Sequence, residues 1–96
     1  MTYELAFNEE ALKEWRKLDG SVREQFKNVL AARLENPHVP SAKLRGRDMK
    51  DVYKIKLRGV GYRLVYEVRD RTVTVYVLAV AKRDKTEAYE LARRRK

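Results

Sequence analysis

The sequence predicts a small α+β domain, in which a twisted, mainly antiparallel sheet carries a helical hairpin on one face and a C-terminal helix follows the strands. Two amphipathic helical patterns stand side by side in the first half of the chain, and three strand patterns with short turns fill the second half. With 96 residues, of which 44% are apolar, we expect one modest core. The prediction is a single domain over residues 1–96 with the order β-α-α-β-β-β-α.

The first strand and the first helix are predicted from adjoining patterns. Residues 2–7 place an aromatic or aliphatic side chain at every second position, which is typical of a strand. Asn8 can then cap a helix, and the glutamates after it suit the positive end of the helix dipole. Apolar residues recur at helical spacing, at Ala11, Leu12, Trp15 and Leu18. We expect this helix to end near residues 19–20.

A second helix should begin at Ser21, because Ser21 and Glu24 have the spacing of a capping box. Its apolar stripe consists of Val22, Phe26, Val29, Leu30 and Leu34. The pattern stops at residues 36–37, where an asparagine precedes a proline. The short connection at residues 19–20 should fold the two helices antiparallel, as the hairpin that covers the sheet.

The second half of the chain begins with an irregular segment. Residues 37–51 contain two prolines, a glycine and no periodicity, which predicts a loop. Its exposed cations should be Lys43, Arg45, Arg47 and Lys50. Strands rich in β-branched and aromatic residues are predicted at 52–58, 61–69 and 72–81, the last of them apolar enough for a central position. Asp84 or Thr86 can cap a last helix that continues through Arg94.

Positive charge dominates the composition and limits the possible partners. There are 23 lysines and arginines against 14 aspartates and glutamates, a net charge of +9. A polyanion is the expected partner of such a domain. The sequence lacks a long basic amphipathic helix with a wide apolar face, which binding to a membrane surface requires. We therefore expect nucleic acid and not a membrane.

The residue types also limit the chemistry. Cysteine is absent and His38 is the only histidine, so we expect neither disulfides nor a zinc site. No apolar run approaches the roughly 20 residues of a membrane span. Residues 1–15 carry four glutamates and lack the apolar stretch of a secretory signal. A soluble, cytoplasmic protein without metal or cofactor is the expectation.

The second and third predicted strands bring cations together. If residues 59–60 form a two-residue type II′ turn, Lys56 pairs with Arg63 and Lys54 pairs with Val65. Lys54, Lys56 and Arg63 then share one face of the sheet. The other face, expected under the helical hairpin, takes Tyr53, Ile55, Leu57, Tyr62, Leu64 and Tyr66.

Like charges opposed across a strand pair destabilise a sheet, so an anion is expected on this face, with a merely solvated face as the alternative. Cleavage of RNA without a metal needs a base for the 2′-hydroxyl, cations for the phosphate and an acid for the leaving oxygen. A lysine among other cations has a lowered pKa and can act as such a base. We do not expect His38 to be catalytic, because a single loop histidine has nothing to orient it.

Five segments, in order and at natural spacing, closely resemble the RelE family of toxins from RelBE-type toxin–antitoxin pairs. They are ALKEWRKL at 11–18, KLRG at 43–46, YKIKLR at 53–58, GYRLVY at 61–66 and AKRDKTEAY at 81–89. The resemblance spans essentially the whole chain. It implies a ribosome-dependent endoribonuclease that cleaves mRNA in the A site of the small subunit and inhibits translation. It also implies a cognate RelB-like antitoxin that neutralises the toxin.

The resemblance implies an active site at Lys54, Lys56, Arg63, Arg83 and Tyr89. Either lysine would activate the 2′-hydroxyl, and Arg63 would hold the phosphate. Arg83 would stabilise the leaving oxygen electrostatically, since an arginine is hard to deprotonate. Tyr89 would stack on or orient a base, with simple packing as the alternative. The RNA-binding edge would include Arg45, and we expect further RNA contacts from Lys43, Arg58 and Lys82.

One expectation conflicts with this set. With a two-residue turn at residues 70–71, strand alternation puts Lys82, and not Arg83, on the face of Arg63. A bulge in the last strand, or a strand that ends before residue 82, would resolve the conflict. Two other functions also remain open at this point: a ParE-like toxin that inhibits DNA gyrase, and an RNA-binding or ribosome-binding module without catalysis.

Overall fold

The computed structural model describes residues 2–82 and 87–96 and has the predicted element order. The strands are β1 (Glu4–Phe7), β2 (Val52–Leu57), β3 (Tyr62–Arg69) and β4 (Thr74–Lys82). The helices are α1 (Glu9–Arg16), α2 (Gly20–Glu35) and α3 (Glu87–Arg95). The predicted α+β class, with a helical hairpin and a C-terminal helix, is therefore confirmed. None of the described helices is both long and apolar enough to cross a membrane.

The four strands form one sheet in the order β1-β4-β3-β2. β2, β3 and β4 are antiparallel neighbours, and β1 lies parallel to β4. Parallel strands need a long crossover connection. Between β1 and β4, this connection includes the α1–α2 hairpin, which directly follows β1 and covers one face of the sheet. β4 is central, as its apolar sequence predicted.

Apolar side chains are buried on both faces of the sheet. The larger core, between the sheet and the α1–α2 hairpin, includes Trp15, Phe26, Leu30, Leu64 and Tyr66. A second core lies on the opposite face, under α3 and the 37–51 loop, and includes Leu44, Met49, Leu78, Ala88 and Ala92. The sequence interpretation of that face as only cationic is therefore incomplete, because the small alanines of α3 carry a weak apolar signal.

The N-terminal caps of the two hairpin helices differ in how well they were predicted. The Asn8 side chain accepts hydrogen bonds from the backbone amides of Glu10 and Ala11 at 2.9 and 3.3 Å, which confirms it as the cap of α1. The capping box at Ser21 is wrong, because α2 begins earlier, with Asp19 as its N-cap residue. The Ser21 hydroxyl instead donates to the Asp19 carboxylate at 3.1 Å.

The β2–β3 turn was predicted in the right register with the wrong geometry. Four residues, 58–61, connect the strands, and the amide of Gly61 donates to the carbonyl of Leu57 at 2.8 Å. The left-handed residue of the turn is Gly61, with φ +70°, so the type II′ turn at residues 59–60 is not present. Lys56 still pairs with Arg63, because the loop is longer by one residue on each side.

A bulge in β4 changes which residues face Arg63. The pairing of β3 with β4 shifts by one residue, and Leu78 is the additional residue. Ala81 therefore pairs with Arg63, while Lys82 lies on the opposite face of the sheet. The expectation that Lys82 shares the face of Arg63 is wrong. The predicted tight turn at residues 70–71 is also wrong, since four residues connect the strands.

Candidate active site and nucleic-acid interface

The β2–β3 hairpin places a group of cations on one face at the end of the sheet. Lys56 lies directly opposite Arg63, and Lys54 precedes it by two residues on the same face. An open cleft of about 270 Å³ lies beside them, lined by Lys56, Leu57, Arg58, Tyr62 and Arg63. We call Lys54, Lys56, Arg58 and Arg63 the cation cluster. It combines high positive potential with room for a phosphate.

The cation cluster changes the protonation of Lys56. The neighbouring Lys54 ammonium is the main cause of a lowered Lys56 pKa, followed by partial loss of hydration, Arg63 and Arg58. Each nearby positive charge makes the ammonium form less favourable. A larger fraction of Lys56 is therefore neutral near pH 7 than for an isolated lysine, which is the form that a general base requires.

Helix α3 brings Tyr89 to the cation cluster. The guanidinium carbon of Arg63 lies 5.2 Å from the centroid of the Tyr89 ring, within cation–π range. Tyr89 is partly buried and packs at the margin of the second core. The packing interpretation of this tyrosine agrees with its position, and its ring also lies against the predicted phosphate-binding arginine. Stacking on a base stays a prediction.

The other predicted site residues have different locations. Arg83 lies outside the described residues. Arg45 is exposed on the 37–51 loop. The Lys43 ammonium donates to the carbonyls of Leu44 and Met49 at 3.0 and 2.8 Å, so it stabilises the conformation of its own loop. The described residues contain no group of three or more acidic or histidine side chains arranged to hold a metal ion.

Arg33 of α2 supports the cation cluster from the other side of the sheet, and the sequence reasoning missed it. Its guanidinium donates to the carbonyl of Lys54 at 3.1 Å and to the hydroxyl of Tyr66 at 3.0 Å. The Tyr66 hydroxyl donates in turn to the carbonyl of Pro37 at 2.9 Å. The backbone of Lys54 is thus anchored to a helix. Periodicity could not have indicated this contact, since Arg33 looks like any cation on a helix surface.

His38 lies in a network apart from the cation cluster. Its Nδ1 lies 3.0 Å from the Tyr53 hydroxyl and its Nε2 lies 3.0 Å from the Asp70 carboxylate, which also accepts a hydrogen bond from Tyr3. The hydrogen bond from Tyr3, and then that from His38, holds the pKa of Asp70 below its usual value. Both imidazole nitrogens are occupied, and Asp70 follows the end of β3 that is remote from Arg63. This arrangement favours a structural role for His38.

Comparison with known proteins gives the family of the chain. Residues 5–86 match the family described as the ParE toxin of the type II toxin–antitoxin system parDE. The chain is 55% identical over 95 residues to the mRNA interferase toxin RelE of Escherichia coli strain K12, and the match covers 99% of this chain and 98% of that protein. The chain belongs to the RelE/ParE family of type II toxins.

Two solved structures of E. coli RelE are similar to the structure of this RelE-family toxin. A free E. coli RelE variant with two arginines replaced by alanine has a TM-score of 0.90 and 54% identity, with 99% of this chain and 98% of that chain covered. The same variant in complex with a peptide of the antitoxin RelB has a TM-score of 0.82 and 54% identity, with 96% and 95% covered. The RelE-family fold of the chain is therefore shared along its whole length.

Proposed function

We propose that this RelE-family toxin is an mRNA interferase, which cleaves mRNA in the A site of the ribosomal small subunit and so inhibits translation. The observation that carries the proposal is the cation cluster beside Tyr89, where Lys56 has a lowered pKa and faces Arg63. The 55% identity to E. coli RelE over the full chain supports the same activity. The cytoplasm, where ribosomes translate, is the expected location.

The proposed reaction uses the 2′-hydroxyl of RNA as its nucleophile and needs no metal ion. Lys56, in its neutral form, removes the 2′-hydroxyl proton, and the oxygen attacks the adjacent phosphorus. The bond to the 5′-oxygen breaks as that oxygen takes a proton from water, which leaves a 2′,3′-cyclic phosphate and a 5′-hydroxyl. Arg63 stabilises the charge on the phosphate in the transition state. Arg83 would stabilise the leaving oxygen.

Two further contacts would hold the RNA. Tyr89 presents a ring beside Arg63 on which a base could stack, and such stacking tolerates every base because each has a π-face. Arg58, at the rim of the cleft, and the exposed Arg45 would bind phosphates. Three of the five residues that line the cleft are cations, and the other two are Leu57 and Tyr62. This lining attracts a backbone, and the ribosome would position the strand for cleavage.

A RelB-like antitoxin is the proposed protein partner. The E. coli RelE variant, which shares the fold at 54% identity, binds a peptide of the antitoxin RelB. With a net charge of +9, the toxin should favour an antitoxin segment that supplies negative charge.

Primer extension on translating ribosomes tests the proposed activity, with the same mRNA free in solution as the control. We expect cuts on ribosomes and little cleavage of free mRNA, because the cleft alone does not orient the strand. The matching family is described as the ParE toxin, so the ParE-like alternative, inhibition of DNA gyrase, is the competing function to test. A supercoiling assay in parallel distinguishes the two. Loss of supercoiling without mRNA cuts would support the gyrase function, and ribosome binding without cuts would support a non-catalytic module.

A further inference from the structure

Helix α3, which carries Tyr89, has only small side chains among its fully buried residues. Of its nine residues, Ala88 and Ala92 are buried, and Leu91 packs at the margin with Tyr89. Two alanines bury little apolar surface, and a helix this short is marginal by itself. We therefore expect polar contacts to contribute to the orientation of α3 on the sheet.

The most shielded of these contacts is an ion pair between Arg95 of α3 and Glu14 of α1. The two terminal nitrogens of Arg95 donate to the two carboxylate oxygens of Glu14 at 2.9 and 2.8 Å. The side chains are only 15% and 26% exposed. The hydrogen bond to Glu14 also raises the pKa of Arg95. A bidentate pair of this kind fixes direction as well as distance.

The same pair bonds to the backbone of β4 at its bulge. Beyond the end of β1, Arg95 donates to the carbonyl of Leu78 at 2.9 Å, and the Glu14 carboxylate accepts from the amide of Val80 at 3.0 Å. β1 pairs with β4 only as far as Val77. Beyond that point, the side chains of Glu14 and Arg95 form the hydrogen bonds to β4 that a neighbouring strand would otherwise form. Glu14 and Arg95 thus connect α1, α3 and β4 at the Leu78 bulge, which sets the pairing of Ala81 with Arg63.

We propose that Glu14 and Arg95 are positioning residues for RNA cleavage, because their paired contact with β4 holds α3 in the orientation that keeps Tyr89 against Arg63. The inference rests on the proposed mRNA interferase activity. Tyr89 lies six residues before Arg95, about 9 Å along the helix at 1.5 Å per residue. A small rotation of α3 would therefore move the Tyr89 ring away from the phosphate-binding guanidinium.

A second ion pair on α3 provides a matched control. Arg93 donates to the Asp48 carboxylate at 2.6 Å, and Lys96 donates to the carbonyl of Asp48. The Arg93 and Asp48 side chains are 45% and 53% exposed, and they tie α3 to a loop instead of the sheet. Arg93→Ala removes the same charge from the same turn of α3, but leaves the contact between Glu14 and Arg95 intact.

The first test measures amide hydrogen exchange in the full-length toxin, which does not depend on activity. We expect Arg95→Ala and Glu14→Gln to speed exchange of the α3 amides and of Val80 by about tenfold or more, and Arg93→Ala to change them less. Unchanged protection of α3 in Arg95→Ala would overturn the proposal, whatever the enzyme does. If the wild-type toxin cut no mRNA, the proposed function would fail but this result would still stand.

The second test is single-turnover cleavage on ribosomes at saturating toxin. Under this condition every ribosome carries toxin, so weaker binding to RNA does not lower the measured rate. We expect Arg95→Ala to be about tenfold to a hundredfold slower, Arg95→Lys to recover part of the rate, and Arg93→Ala to stay within about twofold. In a Tyr89→Ala background, adding Arg95→Ala should lower the cleavage rate little further, because both changes remove the same contribution, that of the Tyr89 ring. Equal losses in both backgrounds would show that Arg95 acts without Tyr89 and would overturn the proposal.

Discussion

Among single residues, Lys56 is the proposed general base, and its surroundings favour the neutral form that a base needs. Its pKa is lowered chiefly by Lys54, and it faces Arg63 across the strand pair. The sequence left Lys54 and Lys56 as equal candidates. The structure separates them by their surroundings, since Lys54 is half-buried and its backbone is bound by Arg33, whereas Lys56 lines the cleft.

We expect Lys56→Ala to slow single-turnover cleavage on saturated ribosomes by about a hundredfold to ten-thousandfold, because it removes the group that transfers the proton. Arg58→Ala serves as the control, since a phosphate contact at the rim affects occupancy more than rate. Circular dichroism verifies that each variant is folded. A near-wild-type rate for Lys56→Ala would exclude Lys56 as the base and leave the cluster as a docking surface.

The pH dependence of cleavage should report the effect of Lys54 on Lys56. The base is active when neutral, so the rate rises as the pH passes the Lys56 pKa. Because the Lys54 ammonium lowers that pKa, Lys54→Gln should raise it and move the rising limb of the pH–rate profile to higher pH. Arg58→Gln should move it less, since Arg58 is the smallest contributor. A limb that stays in place in Lys54→Gln would contradict this assignment.

Among the elements, the β3–β4 connection contains strain that can be removed. Val73, which follows the short 3₁₀ turn Asp70–Thr72, has φ +50° and lies in the left-handed region. A β-branched side chain is unfavourable there, at a cost of about 1–3 kcal/mol. The amide of Glu4 donates to the Val73 carbonyl at 2.9 Å, so the strained residue also holds the start of β1.

Val73→Asn should therefore raise the free energy of unfolding by about 1 kcal/mol, because asparagine tolerates the left-handed conformation. Urea denaturation measures the change. Val60→Asn is the matched control, since Val60 is an exposed valine in the other hairpin turn and is not among the described residues with positive φ. A loss of stability in Val73→Asn would mean that the packing of the valine outweighs its strain.

The whole molecule combines a net charge of +9 with a cleft lined largely by cations, so binding to ribosomes should depend strongly on salt. Cations that bind RNA phosphates release counterions, which makes the logarithm of the affinity fall linearly with the logarithm of salt concentration. Binding measured between low and moderate salt gives the slope. Arg58→Gln should reduce that slope by about one. A flat affinity in the wild-type toxin would argue against RNA as the main partner.

The sequence by itself determined the features that depend on neighbouring residues. Asn8 caps α1 through amides two and three residues away, and the alternation of Lys54 and Lys56 with apolar residues decides which face of β2 they occupy. The pairing of Lys56 with Arg63 was also predictable, because a short turn permits few registers even when its type is misjudged. These signals lie within a few residues of each other, where periodicity and capping rules apply.

Tertiary structure alone decided the contacts between distant parts of the chain. The bulge at Leu78 turns Lys82 away from Arg63, and its local backbone is bonded by Glu14 and Arg95, which are 81 positions apart. The docking of α3, which brings Tyr89 to Arg63, likewise depends on alanine packing and on this ion pair. No periodic pattern encodes such pairs, because a half-buried arginine and a surface arginine look the same in sequence until the fold brings their partners together.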